Sequence, residues 1–417
     1  MPECSPKKNA QRRRVLLIAY HFPPLTGSSG IQRTLRLAQH LPELGWDVSV
    51  LTCQPRAYER VADDLLRELP PQVHVERAFA LDAARHLSLG GRHLAFTTRP
   101  DRWASWRLDG IRRGRQLLAR TPHHAIWSTY PIPTAHVIGA ALAQHSGLPW
   151  IADFRDPMMQ PDYPTDPKTR AQWRALEERI AARAQIITVT TPGTRQHMLQ
   201  RHPGAHIELM ENGYDEASFA DLPAQAGAPL NPGAITLVHS GIVYPWERDP
   251  TQLIEALAQL RSQGLGAQQL RVRFRAPVHA ELITDLAARH QVSDMVEVMP
   301  AIGYRAALEE MQRADALLVM QAANCNAQVP AKVYEYLRAG PRIVALAAPE
   351  GDTALVLRQA GVADQAPLDN AAAIATLLQR LCTGDAGLRL SPTPQAVAGA
   401  SRWARSEQLV RWLDALA

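Results

Sequence analysis

The run Val15-Leu-Leu-Ile-Ala-Tyr20 sets the strongest limit on what this chain can fold into. It shows no polar alternation, so the strand it forms must be buried on both faces, as in the centre of a parallel sheet. A loop bearing Pro23, Pro24, Gly27 and Gly30 follows it. Ile31, Leu35, Ala38, Leu41 and Leu44 then recur at helical spacing, Gly45 stops the helix, and Val48 to Leu51 reads as the next strand. The same order starts afresh at Ala234-Ile-Thr-Leu-Val-His239, with Ser240-Gly241 opening the loop and a helix from Pro250 to Gln263. Residues 216–233 between the halves are rich in Ala, Pro, Gly and Asp and lack periodicity, which marks a linker. The reading is an α/β protein of two doubly wound, Rossmann-like parallel sheets facing a central cleft. A length of 417 residues, too long for one core, agrees with two domains.

Composition removes several classes. The net charge is +5, and residues 1–14 supply most of it through Lys7, Lys8, Arg12, Arg13 and Arg14 against Glu3. The body is then near neutral, which argues against a nucleic-acid binder. No run approaches the ~18 apolar residues of a membrane span. Cys4, Cys53, Cys325 and Cys382 form no CxxC pair and no cluster with histidine, so a reducing, cytoplasmic compartment without structural zinc is the simplest inference. Residues 1–13 read as a basic, disordered tail able to touch anionic lipid at the inner face of the plasma membrane.

The chain between these landmarks alternates strand and helix. Strands are expected at Ala125–Ser128, Leu148–Asp153, Ile186–Val189, Ile207–Met210, Leu270–Phe274, 295–298, Ala316–Met320 and Arg342–Leu346. Arg99 to Arg120 mixes arginine with Trp103 and Trp106, which suits a membrane-interface helix, a site for an anionic acceptor, or a solvated helix over two core tryptophans. Asp153, Arg155 and Asp156 fall where a parallel strand ends, the place such folds put chemistry; a self-satisfied salt-bridge cluster is the plainer alternative. Ser401 to Leu416 reads as an amphipathic helix with Trp403, Leu409, Trp412, Leu413 and Leu416 on one face.

The stretch Val329-Pro-Ala-Lys-Val-Tyr-Glu-Tyr-Leu-Arg-Ala-Gly340 carries the clearest chemical signal. Pro330 suits a first helical position, Gly340 a stop, and Lys332 and Glu335 share a face near the helix start. No GxSxG elbow, HExxH, P-loop, full GxGxxG or DxD-type metal pair is present. A nucleoside diphosphate fits instead. The Gly27–Gly30 loop, the Ser240-Gly241 loop with Arg248, and the Lys332 helix N-terminus would stabilise a departing diphosphate with no metal, and Glu335 would accept from ribose hydroxyls. The bland alternatives are a tight turn and a surface Lys–Glu pair.

These residues resemble the family-4 glycosyltransferases of the two-domain GT-B fold. They come nearest to the bacterial branch that builds surface polysaccharide and lipopolysaccharide, including fucosamine-type transferases. The resemblance rests on Tyr20-His-Phe-Pro-Pro with the glycine loop, Trp150-Ile-Ala-Asp-Phe-Arg-Asp-Pro157, Glu211-Asn-Gly-Tyr-Asp215, and Pro330 to Leu337 with Gly340. It implies an acceptor domain over 14–215, a linker over 216–233, a donor nucleotide-sugar domain over 234–395, and a helix over 396–417 that returns to the first domain. It also implies a UDP- or GDP-linked donor as substrate with no cofactor, a glycan or lipid-linked acceptor, and transfer with retention. Donor contacts carry over to Gly27, Gly30, Ser240, Gly241, Arg248, Lys332, Tyr334 and Glu335, and catalytic roles to Asp153, Arg155 and Asp156. Two positions depart from the family pattern: the first glutamate of its pair is Ala327, and a usual arginine is Ile242. An altered donor sugar, a GT-B epimerase and a weakened scaffold protein are the readings those departures leave open.

Overall fold

The computed structural model describes residues 12–417 except 29, 89–94, 161–162, 221 and 224–226. The basic tail therefore lies outside the described residues apart from Arg12 and Arg13. The chain divides into two compact units: Met1–Thr190 with Arg195–Glu211 and Arg405–Ala417, and Thr191–Thr194 with Asn212–Ala404.

The first unit holds β1 (Arg13–Ile18), β2 (Trp46–Cys53), β3 (His74–Ala78), β4 (Ala125–Thr129), β5 (Trp150–Phe154), β6 (Ile186–Val189) and β7 (Ile207–Leu209). They form one sheet in the order β3-β2-β1-β4-β5-β6-β7, and its neighbours are parallel throughout. The second unit holds β8 (Ile235–Ser240), β9 (Leu270–Arg275), β10 (Val296–Met299), β11 (Ala316–Gln321), β12 (Arg342–Ala347) and β13 (Gln365–Ala366). Their order is β10-β9-β8-β11-β12-β13, again all parallel. Strand order reverses beside β1 and beside β8. Such switch points open a crevice at the strand C-termini.

Both faces of each sheet are covered, as the unbroken apolar runs require. Successive side chains alternate faces, so Leu16 and Ile18 enter one core cluster while Val15 and Leu17 enter another. In the second unit Leu318 and Met320 join one cluster and Leu317 and Val319 the other. All eight of these side chains are at most 1% exposed. At about 1.5–3 kcal/mol for each large apolar side chain buried, the central strands hold each unit together.

The differences from the sequence reading have local causes. The edge strands β3 and β13 carry too few apolar residues to stand out in the sequence; β3 is His-Val-Glu-Arg-Ala. The linker segment contains a short helix, Ala217–Ala220, whose Phe219 packs with Leu222 and Tyr214 in the second unit. The 329–340 helix begins at Lys332, because Pro330 instead accepts from the Val333 N–H in the turn ahead of it. Gly340, at φ 103°, ends that helix. The last helix spans Arg402–Leu416, and its Leu409 and Leu413 pack beside Trp46 in the first unit. Trp106 is wholly buried, and Trp103 packs on the same core with its Nε1 donating to Ala57 O. Arg99, Arg102 and Arg113 are paired with carboxylates. Both tryptophans of the Arg99–Arg120 stretch thus turn inward. Among the described residues no helix is long and apolar enough to cross a membrane.

Candidate functional site

In the second unit, β8 and β11 lie side by side at the centre of the sheet and deliver two loops to its C-terminal edge. Ser240 ends β8, and its N–H donates to Tyr336 Oη at 2.9 Å. Gly241 follows at φ 107°, donating its N–H to Arg275 O at 2.8 Å. A Cβ on Gly241 would stand 3.2 Å from Lys332 Nζ, so glycine meets both the backbone conformation and the close approach.

Lys332 opens the Lys332–Ala339 helix, and its Nζ lies 3.1 Å from His239 Nε2. Burial, then the neighbouring Arg248 guanidinium, lowers the ammonium to about 7, with Glu335 pulling the other way. Arg248 lies 5.1 Å over the Tyr244 ring, and its Nε is buried with no hydrogen-bond partner among the described residues. Its side chain is only 14% exposed and pairs loosely with Glu247 at 3.9 Å. Two cations and a helix start thus converge without a tightly paired carboxylate between them. That is the electrostatic form of an anion site.

Glu335 lies one helical turn from Lys332 and accepts from Tyr304 Oη at 2.8 Å. Burial raises its carboxyl, while the Tyr304 hydrogen bond, Arg402 and Lys332 pull it down. Tyr334 is the third expected donor contact on this helix. It is 1% exposed within the core that includes Val333 and Leu337, because its position on the helix turns it away from Lys332. At Ala327 the carbonyl accepts from Thr191 Oγ1 at 2.8 Å. A Cβ built on Gly193 would stand 2.8 Å from Asp352 Oδ2 and 3.0 Å from Ala327 Cβ, so a carboxylate does flank this point. It is already engaged by the Gly193 N–H at 2.7 Å.

In the first unit the loop after β1 leads to the Gly30–Glu43 helix. Gly27 has φ 80° and open space about it. Gly30 is crowded: a Cβ there would collide with Arg155 Nη1 and stand 2.7 Å from His21 Nδ1. Arg155 Nε pairs with Asp156 at 3.3 Å, and Nη1 is buried with no hydrogen-bond partner among the described residues. Asp156 remains half exposed. Burial, then Arg155, lowers His21 to about 4, so its imidazole is neutral. A cavity of about 300 Å³ opens nearby, with Tyr20, His21, Thr26, Ser28, Arg60 and Trp103 in its lining.

Asp153 does not reach that space. It is 0% exposed and holds Arg33 through two bonds of 2.6 and 2.9 Å. Thr129 Oγ1 and Thr188 Oγ1 each donate to it at 2.7 Å. Burial alone would raise its carboxyl, but Arg33 and the two threonines outweigh that and hold it below the usual range. Arg33 also donates to Met210 O and Glu211 O, at 2.9 and 3.1 Å. Asp153 is thus fully engaged by Arg33, Thr129 and Thr188, the arrangement of the plainer alternative with Arg33 as the partner.

Three functional candidates were not singled out from the sequence: His239, Tyr304 and His21. His239 ends an apolar strand, and a polar group inside a buried run is a signal available in the sequence. Tyr304 carries no such mark. Among the described residues no group of three or more His, Cys, Asp and Glu could hold a metal ion.

The geometry agrees with what known proteins show. Residues 29–213 match the family described as the glycosyl transferase 4-like domain. The whole chain has the GT-B fold, an α/β protein with two parallel sheets each flanked by helices. Anabaena HepE in complex with UDP is similar at TM-score 0.67 and 13% identity, covering 97% of this chain and 100% of that one. Sucrose-phosphate synthase from Thermosynechococcus elongatus is similar at 0.63 and 16%, covering 97% and 100%. The α,α-trehalose 6-phosphate synthase from Burkholderia multivorans is similar at 0.63 and 12%, covering 97% and 96%. No curated protein matches by sequence.

Proposed function

We propose that this protein is a glycosyltransferase that moves a sugar from a UDP- or GDP-linked donor to a glycan or lipid-linked acceptor in cell-surface polysaccharide synthesis. The observation that carries the reading is the nest of Lys332, Arg248, Gly241 and a helix start on the C-terminal edge of the second sheet. The complex of the structurally similar HepE with UDP supports a nucleotide there. In this reading the donor diphosphate lies against Lys332 and Arg248, and Glu335 accepts from the ribose. As the bond from the anomeric carbon to the phosphate oxygen breaks, the two cations and the helix N–H groups stabilise the charge left on the diphosphate. The acceptor oxygen takes the anomeric carbon from the same face and passes its proton to the departing diphosphate oxygen, which retains configuration. Arg155 and Asp156 of the first unit serve the acceptor side, metal takes no part, and the basic tail holds the protein at the inner face of the plasma membrane.

A thermal-shift panel of UDP, GDP and their sugars tests the reading. A nucleotide present at a hundred times its Kd stabilises the native state by about 2.7 kcal/mol, roughly 5–11 °C for units of this size. Incubation with donor and glycan acceptors must then give a product larger than the donor. Rearranged donor with no larger product would mark an epimerase, and no response to any nucleotide would mark a scaffold.

A further inference from the structure

The donor site contains a buried histidine that no role above uses. His239 is 0% exposed at the penultimate position of β8. Its Nδ1 lies 2.9 Å from Leu318 O on the neighbouring strand β11. A carbonyl only accepts, so Nδ1 carries the hydrogen, and the neutral ring then presents a lone pair at Nε2. That lone pair faces Lys332 Nζ at 3.1 Å. The strand pairing fixes the tautomer, and the tautomer fixes which way the lysine is held.

We infer that His239 is a positioning residue for the donor diphosphate: its Nε2 holds the Lys332 amine against Gly241, where the arriving diphosphate meets it and a proton is taken up. The inference rests on the donor reading of this site. Protonating His239 would set two donors face to face, and burial, then Lys332 and Arg248, keep its pKa well below the ordinary value against the opposite pull of its backbone hydrogen bonds with Leu318 and Ile242. The ring therefore remains an acceptor. The other groups facing Lys332 are Arg248 from the loop after β8 and Glu335 from its own helix, with Tyr304 and Arg402 acting on Glu335. Crowded by Arg248 and buried, Lys332 sheds its proton near neutral pH in the free protein. A diphosphate oxygen at Nζ restores the charged form, and the proton comes from solvent onto Nζ.

Calorimetric titration of the full chain with UDP, GDP and ADP, in Tris and in HEPES at about pH 8, reads this directly. The difference in heat between the buffers gives the protons taken up, and these nucleotides are fully ionised there. The expected result is uptake close to one proton per nucleotide, with affinity falling as pH rises above about 7. His239→Gln keeps an acceptor for Lys332 and should bind within about threefold of wild type. His239→Asn keeps only the bond to Leu318 and should bind about tenfold more weakly, the worth of one charge-assisted hydrogen bond. Its binding profile should also shift to lower pH, which a merely structural role would not produce. Binding by the wild type without proton uptake, or wild-type affinity in His239→Asn, overturns the inference and leaves the donor reading standing. No binding by any of the three nucleotides overturns both.

Discussion

Replacing Asp153 with asparagine should destabilise the first unit by about 3–5 kcal/mol. The substitution is nearly isosteric, so packing is kept and only the charge is removed. The Arg33 guanidinium is 6% exposed and would remain buried without its counter-ion. Two threonine hydroxyls would lose their anionic acceptor. A typical domain has only about 5–15 kcal/mol of stability, so the loss is large. Trp46, Trp106, Trp127 and Trp150 are buried in the first unit, so tryptophan fluorescence during urea unfolding reports chiefly on it. Arg33→Met combined with Asp153→Leu should recover most of the loss, because an apolar pair has no desolvation to offset. Acid should act as the single substitution does. The carboxyl of Asp153 is held below its ordinary value, so its contribution is full above the unfolded pKa of about 3.9 and fades as pH falls through the lower folded value. A loss under about 1 kcal/mol in Asp153→Asn would refute the reasoning, because the pair would then be behaving as an exposed one.

Three further outcomes follow from the geometry. Lys332→Ala and Glu335→Gln should each weaken donor-nucleotide binding by about 1–3 kcal/mol; wild-type affinity in calorimetry would remove both from the site. Val278 is 69% exposed at φ 67°, a left-handed conformation that costs a β-branched residue about 1–2 kcal/mol. Val278→Gly should therefore raise stability by about 0.5–1 kcal/mol after the added chain entropy of glycine; a lower melting temperature would contradict it. Deleting residues 1–11 should reduce co-sedimentation with vesicles rich in anionic lipid, since each basic residue near such a surface contributes about 1 kcal/mol. Unchanged sedimentation would leave the tail without that role.

How much of this was legible in the sequence depends on how local each feature is. Val15 to Tyr20 and Ala316 to Met320 announced central strands because strands covered on both faces need apolar side chains at every position. Gly241 and Gly340 marked turns because their backbone conformations, at φ 107° and 103°, disfavour any side chain. Lys332 and Glu335 could be paired from spacing alone, since three residues of helix bring them to one face. Those properties belong to short stretches of chain, and a reader of the sequence holds all of each stretch at once. The rest depends on residues far apart. Asp153 read more plainly as part of a salt bridge than as chemistry from its residues alone, but its partner Arg33, 120 positions away, was set against it only by folding. Lys332 read as a cation for a diphosphate or as half of a surface Lys–Glu pair, and only folding brought His239, 93 positions away, within 3.1 Å of its amine. Charge, burial and hydrogen bonding act through space over a few ångströms, so the sequence determined which groups were available and only the tertiary structure decided which of them meet.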